Sequence, residues 1–418
     1  MFKLIKNISK FNDKKIFIII IVFSIAQLIS YGLETSGFLF YNMDWYYKGL
    51  YRQAYPEDIY LKFTSSLKLV EFITFHFRPL FQLPILFVFS SIVIRVLIIF
   101  VAYKISLSLV SDKYIAIFAT LFYFVSFYTH GLAGSSGMWG PLIFSKASIS
   151  AFFVVLGIYS TIIGRIYLSC VFFSLSIQLH PINSTTALIY YFAGYSYYIF
   201  KSDKKLFKNI LILILVVIIN ILPIAIWTKH SINVPFAEVS IKDWYNYLYC
   251  LDPDDLSLLY TFLKYGYILV PLLMSALYLS IKSYHKSKLD FLYIGISCVL
   301  FVFMVLELLQ KNGIFFGKLS EYFIILEFRR GLWIITFFAT VIAFREIYRN
   351  FSLKDILIDK KLLFMLVISL IIYIKPTLFN VSFLAILLIT LVPNVYIKIG
   401  SLLTIMFIVL IYFIGECE

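Results

Sequence analysis

The sequence predicts an all-α, multi-pass integral membrane fold, and three observations predict it. Of the 418 residues, 62% are hydrophobic and 14% charged, too few polar groups to clothe a water-soluble fold of this length. Apolar runs recur from Lys15 to Gly415, and about 20 such residues suffice to cross the hydrocarbon core. No polar block between them is long enough for a separate soluble domain, so residues 1–418 read as a single transmembrane domain. Hydrocarbon offers the backbone no water, and a helix bonds its own amides and carbonyls.

Taken in order, the first span runs from Ile16 to Tyr31 behind Lys14 and Lys15. It lacks the small-residue cleavage site of a secretory signal and is expected to be retained. Further spans are expected near 83–103, 114–130, 142–163, 166–180, 183–200, 206–227, 259–281, 290–309, 322–344, 361–374, 377–393 and 399–415. The total is about 13 transmembrane helices. With a cytoplasmic N-terminus, the inside segments are 1–15, 104–113, 164–165, 201–208, 282–290, 345–361 and 394–398. They hold 21 Lys and Arg against 10 in the outside segments, the bias that sets topology. Acidic residues run the other way, 14 on the outer side against seven inside. The expected location is the inner, cytoplasmic membrane of a cell, and the two long polar loops, 33–80 and 228–260, then face out.

The formal charge of +14 is dispersed over short loops, with no basic groove or reader motif, so no nucleic-acid partner is expected. Cys170, Cys250, Cys298 and Cys417 show neither metal-ligand spacing nor a disulfide framework. Matched halves of the transporter kind are absent, as are phosphate-loop and dinucleotide patterns.

The first outer loop carries two amphipathic stretches. From Trp45 to Tyr55 the apolar positions 46, 47, 50, 51 and 54 recur at helical spacing opposite Lys48, Arg52 and Gln53. From Ile59 to Phe77, Ile59, Phe63, Leu67, Val70, Ile73 and Phe77 share one face. Both predict interfacial helices. Asp44, where the chain leaves the membrane, reads either as the N-cap of the first of these helices or as a carboxylate aimed into a membrane-surface cavity. Glu57 and Asp58, after Pro56, carry the same two readings.

His130 and His180 end the third and fifth spans on the outer side. Each is an interfacial hydrogen-bonder or, as an ionisable group at membrane depth, a functional residue. Gly131, Gly134, Gly137 and Gly140 lie between the third and fourth spans and either let the backbone approach a ligand or, as the absence of a phosphate-loop pattern favours, permit a tight reversal. Lys146 enters the fourth span beside Ala147, Ser148 and Ser150, which leave room for a charged head group, unless the ammonium snorkels outward. Arg329 and Arg330 stand near the outer part of the tenth span. Their planar forks match phosphate oxygens; an internal ion pair with Glu327 or Glu307 is the alternative. Arg95 fits a structural salt bridge, and Asp252, Asp254 and Asp255 fit caps for the eighth helix or oxygen ligands for a cation.

The order of features resembles the GT-C superfamily of polytopic glycosyltransferases, which take sugars from polyprenyl-phosphate carriers. The residues carrying the likeness are Asp44-Trp45-Tyr46, Pro56-Glu57-Asp58 and His180-Pro181, with the two surface helices after the first span. The resemblance covers about the first half, a module over 1–230, and leaves 231–418 as variable helices. It implies a polyprenyl-phosphate-linked sugar as donor and a glycan, lipid or protein as acceptor on the extracytoplasmic face. By the same likeness Asp44, Asp58 and His180 are catalytic, with Trp45, Glu57 and His130 against substrate. Lys146, Arg329 and Arg330 are then the cations for the carrier phosphate. Many members pair two acids in the first loop, whereas Asp44 stands between Met43 and Trp45. No cofactor is therefore demanded, and a divalent cation stays open, because one carboxylate rarely holds such an ion unaided. A polysaccharide polymerase (O-antigen or exopolysaccharide) and a lipid-linked oligosaccharide flippase or transporter share compartment and carrier, and are the rival readings.

Overall fold

A computed structural model describes residues 13–34, 84–125, 146–202, 207–231, 257–283, 286–316 and 328–350. They are 92% helical, and no strand occurs among them. The helices are α1 (Asp13–Glu34), α2 (Pro84–Val110), α3 (Lys113–Val125), α4 (Lys146–Ile162), α5 (Ile166–Leu179), α6 (Pro181–Ser202), α7 (Phe207–Ser231), α8 (Leu258–Lys282), α9 (Lys288–Lys311) and α10 (Leu332–Asn350). A 3-10 turn, Phe328–Gly331, leads into α10. Each coincides with one of the first ten apolar runs. Two segments, Phe89–Val110 of α2 and all of α9, are long and apolar enough to cross a membrane, with mean hydropathy 2.2 and 2.5. The last three expected spans and both interfacial helices lie outside the described residues.

One boundary differs from expectation. The segment 104–113, expected as a loop, is mostly helix: α2 continues to Val110 and reverses in two residues. Ser111 takes φ 60°, and the Asp112 carboxylate accepts the amides of Tyr114 (2.8 Å) and Ile115 (3.0 Å) to start α3.

The chain divides into two compact units, one of Met1–Ile105, Ser135–Leu188 and Lys208–Ser240, the other of Ser106–Gly134, Ile189–Phe207 and Ile241–Glu418. In the first, α4 and α5 form a hairpin whose turn places Gly164 at φ +81°. Gly157 lets the two helices close on each other, since a Cβ there would lie 2.2 Å from the Phe173 ring. Hydroxyls line the seam. Thr161 donates to Ser169 (2.9 Å), and Ser150 bonds Ser184 (2.6 Å) while both reach the Ser176 carbonyl. On the other side of α5, Asn220 of α7 bridges Ser174 (2.9 Å) and Gln178 (3.2 Å). Meanwhile Leu211, Leu215, Ile218 and Leu222 of α7 stand exposed. Small and polar groups inside with apolar groups outside is how helices associate in lipid.

In the second unit every residue of α10 from Leu332 to Ala343 is buried, as befits a helix apolar all round. Helices α6 and α9 run antiparallel and cross at two glycines. A Cβ on Gly194 would meet the Leu292 carbonyl at 2.5 Å, and one on Gly295 would meet the Ala193 carbonyl at 2.8 Å. Backbones come this near only where neither residue has a side chain. Helix α8 is fastened beside α9 by the Tyr293 hydroxyl, which donates to the Leu273 carbonyl at 3.0 Å.

Candidate functional site

At one end of the second unit the start of α8, the last turns of α9 and the start of α10 come together. Glu307, in the next-to-last turn of the 24-residue α9, turns its carboxylate to the N-terminus of α8. One oxygen accepts from the Ser257 hydroxyl and the other from the amides of Leu258 (2.9 Å) and Leu259 (3.2 Å). Ser257 is itself the N-cap, accepting from the Tyr260 amide at 2.9 Å. An acid in an apolar segment thus finds three donors and the positive end of a helix dipole. The cap of the eighth helix is therefore Ser257 with Glu307; Asp252, Asp254 and Asp255 lie outside the described residues. The arginine pairing allowed for Glu307 gives way to this arrangement.

One turn before Glu307 on α9, the Phe303 ring stacks on Phe328 at 3.7 Å, and Tyr190 of α6 meets Phe303 edge-on at 5.5 Å. The fully buried Tyr190 hydroxyl donates to the Phe328 carbonyl at 3.3 Å. A second tyrosine, Tyr123 of α3, donates to the Trp333 carbonyl at 3.0 Å. The 3-10 turn is thus held through both the backbone and the ring of its first residue, and α8 packs against it as well.

That turn carries Arg329 and Arg330, the first buried and the second half-buried. With Gly331 they precede the 19-residue α10, so two cationic residues stand just ahead of a helix N-terminus, where the dipole is positive. Cations are disfavoured there and anions favoured. Arginine forks and helix N-termini both complement oxyanions.

Of the other expected site residues, Asp44, Trp45, Glu57, Asp58 and His130 lie outside the described residues, and of Lys146 only its place as the first residue of α4 is described. His180, in the first unit, joins α5 to α6. Its amide closes α5 on the Ser176 carbonyl (3.0 Å), its own carbonyl accepts from Ser184 (3.1 Å), and its Nδ1 accepts from the Asn183 amide in a long contact of 3.5 Å. The Arg pair belongs to the second unit, so each is placed by its own surroundings. Among the described residues no three His, Cys, Asp or Glu side chains gather as a metal ion requires. No family model, curated protein or solved structure matches this chain.

Sequence reasoning missed Ser257, Tyr190, Phe303 and Phe328 as parts of this end. A tyrosine or phenylalanine in an apolar run carries no local mark of what it touches; Glu307, an acid in a span, carried one.

Proposed function

We propose that this chain is a multi-pass glycosyltransferase of GT-C type, with about 13 spans and a cytoplasmic N-terminus, moving a sugar from a polyprenyl-phosphate carrier to an acceptor at the extracytoplasmic face. The observation that supports it best is the placement of Arg329 and Arg330 on the turn that opens α10. A polyprenyl phosphate brings the anion this end of the helix favours and an apolar tail suited to the surrounding lipid.

In the proposed reaction the acceptor hydroxyl oxygen bonds to the anomeric carbon as the bond from that carbon to the carrier phosphate oxygen breaks. The hydroxyl proton passes to Asp44, and the electron pair leaves with the phosphate, whose growing charge Arg329, Arg330 or Lys146 offsets. General-base help is worth about 10²–10⁴-fold, and a lost oxyanion donor about 10²–10³-fold.

The test is transfer of labelled sugar from a polyprenyl-phosphate pool in membranes holding the protein. Asp44→Asn should abolish transfer and leave membrane insertion unchanged. Arg329→Gln with Arg330→Gln should lower transfer by about 10²-fold or more. Unaltered product from Asp44→Asn counts against Asp44, and undiminished transfer by the arginine variant counts against the phosphate grip.

A further inference from the structure

The opposite end of the second unit collects cations. The C-termini of α6, α8 and α10 and the N-terminus of α9 meet there. Arg345 of α10 grips Asp290 of α9 with two nitrogens (2.7 and 3.1 Å), and the Lys288 ammonium of α9 lies 4.9 Å from the centre of the Tyr198 ring of α6. Tyr197 of α6 meets Phe291 of α9 at 6.2 Å. Among the described residues these helix ends carry Lys201, Lys282, Lys286, Lys288, Arg345 and Arg349 with the acids Asp290 and Glu346, and Arg345 bonds both acids.

Three of those lysines, Lys201, Lys282 and Lys286, are exposed. Lys201 lies over Tyr197 (5.8 Å) and Phe200 (5.4 Å), and Lys282 over Tyr278 (5.3 Å). Lys201 and Lys282 thus keep exposed ammonium groups beside aromatic rings, the company such side chains keep at a membrane surface. The choice of partner turns on what surrounds them. Phe200 is 64% exposed, Tyr278 49% and Ile281 56%. A soluble polyanion would match the charges and leave those side chains in water, whereas a lipid leaflet covers both.

We propose that this end of the second unit binds anionic phospholipid head groups, with Lys201, Lys282 and Lys286 as the phosphate contacts. The proposal rests on the membrane-spanning part of the functional reading and is independent of glycosyl transfer. An anionic leaflet attracts a lysine at its surface by a factor of about five, and the attraction weakens with salt.

The full chain is reconstituted into bilayers of phosphatidylcholine with a minor fraction of phosphatidylglycerol, and the lipid retained on purification is measured. Enrichment of phosphatidylglycerol over its bulk fraction is expected for the wild type. Each single Lys→Gln change at 201, 282 or 286 should lower it by about fivefold or less, and the triple change should remove it. Lys311→Gln, at the far end of α9, should leave it intact. Equal enrichment in wild type and triple variant, or none in either, overturns the proposal. So does tight binding of soluble polyglutamate by detergent-solubilised wild type with no phosphatidylglycerol preference, which points to an acidic protein instead. Failure of the wild type to enter bilayers at all overturns the membrane-spanning reading as well, and so differs from entry without enrichment.

Discussion

Helix α9 carries one acid near each end, and the two are used differently. At its start, Asp290 accepts from both the amide and the hydroxyl of Ser287 (2.7 Å each). It also takes the guanidinium of Arg345, whose Nη1 further reaches Ser287 (2.9 Å) and whose Nε reaches Glu346 (2.7 Å). The cation sits near the C-terminus of α10 and the acid in the first turn of α9, each where the helix dipole wants it. Near the other end, Glu307 serves the N-terminus of α8, and the arginines of that region stand at the start of α10, against the dipole. The first arrangement is a bidentate ion pair between two helices. The second sets cationic residues ahead of a helix N-terminus, and the proposed function draws on that placement.

The largest expected effect tests the ion-paired end. Arg345→Ala leaves Asp290 charged and fully buried, and removing one partner of such a pair costs about 3–5 kcal/mol. Thermal unfolding in detergent should show this loss, and the double change Arg345→Met with Asp290→Leu should recover most of it. If the single change costs as little as a surface substitution, the two ends do not differ as described. Glu307→Ala comes next. It strips the acceptor from the Ser257 hydroxyl and two amides, for an expected loss of about 2–3 kcal/mol. Glu307→Gln, which keeps one acceptor oxygen, should lose less, and hydrogen exchange at Leu258 and Leu259 should report where the helix opens.

The crossing of α6 and α9, midway between the ends, sharpens the contrast because it involves no charge. Gly194→Ala puts a methyl against the Leu292 carbonyl, which as helix backbone has little room to yield, and overpacking of this kind costs about 1–3 kcal/mol. The loss should be the same at low and high salt. A salt-dependent loss would mean that this change reaches one of the charged ends.

Much of the helical content was legible because long apolar runs stand out in composition: ten of them coincide with the ten described helices, and two of these helices are long and apolar enough to cross a membrane. The 104–113 boundary was misread because Lys104 looks like a stop. In the folded chain its ammonium lies over Phe100 (5.2 Å) and Tyr103 (5.6 Å), so the charge is met by aromatic faces within the helix and does not end it. Gly194 and Gly295 were illegible for another reason. A single glycine in an apolar run looks alike whether or not a second helix presses on it. The candidate site was half legible: Arg329, Arg330 and Glu307 stand out as charges in apolar sequence. That Glu307 caps a helix 50 residues away depends on packing no local window contains.

The smallest expected effect probes the arginine end directly. Tyr190→Phe removes one hydroxyl from the Phe328 carbonyl and keeps the ring against Phe303, so the stability loss should be about 1 kcal/mol. If the bond positions the arginine turn, affinity for vesicles of phosphatidylcholine bearing polyprenyl phosphate should fall by about fivefold, a factor equivalent to that energy. Affinity for the same vesicles bearing uncharged polyprenol should stay put. Arg329→Gln supplies the reference, because it removes the phosphate preference whatever the turn does. A Tyr190→Phe protein that keeps the full preference while Arg329→Gln loses it would leave the arginines as the grip and reduce the tyrosine to packing. Equal binding of both lipids by the wild type would remove the grip itself, and with it the difference in purpose between the two ends of α9.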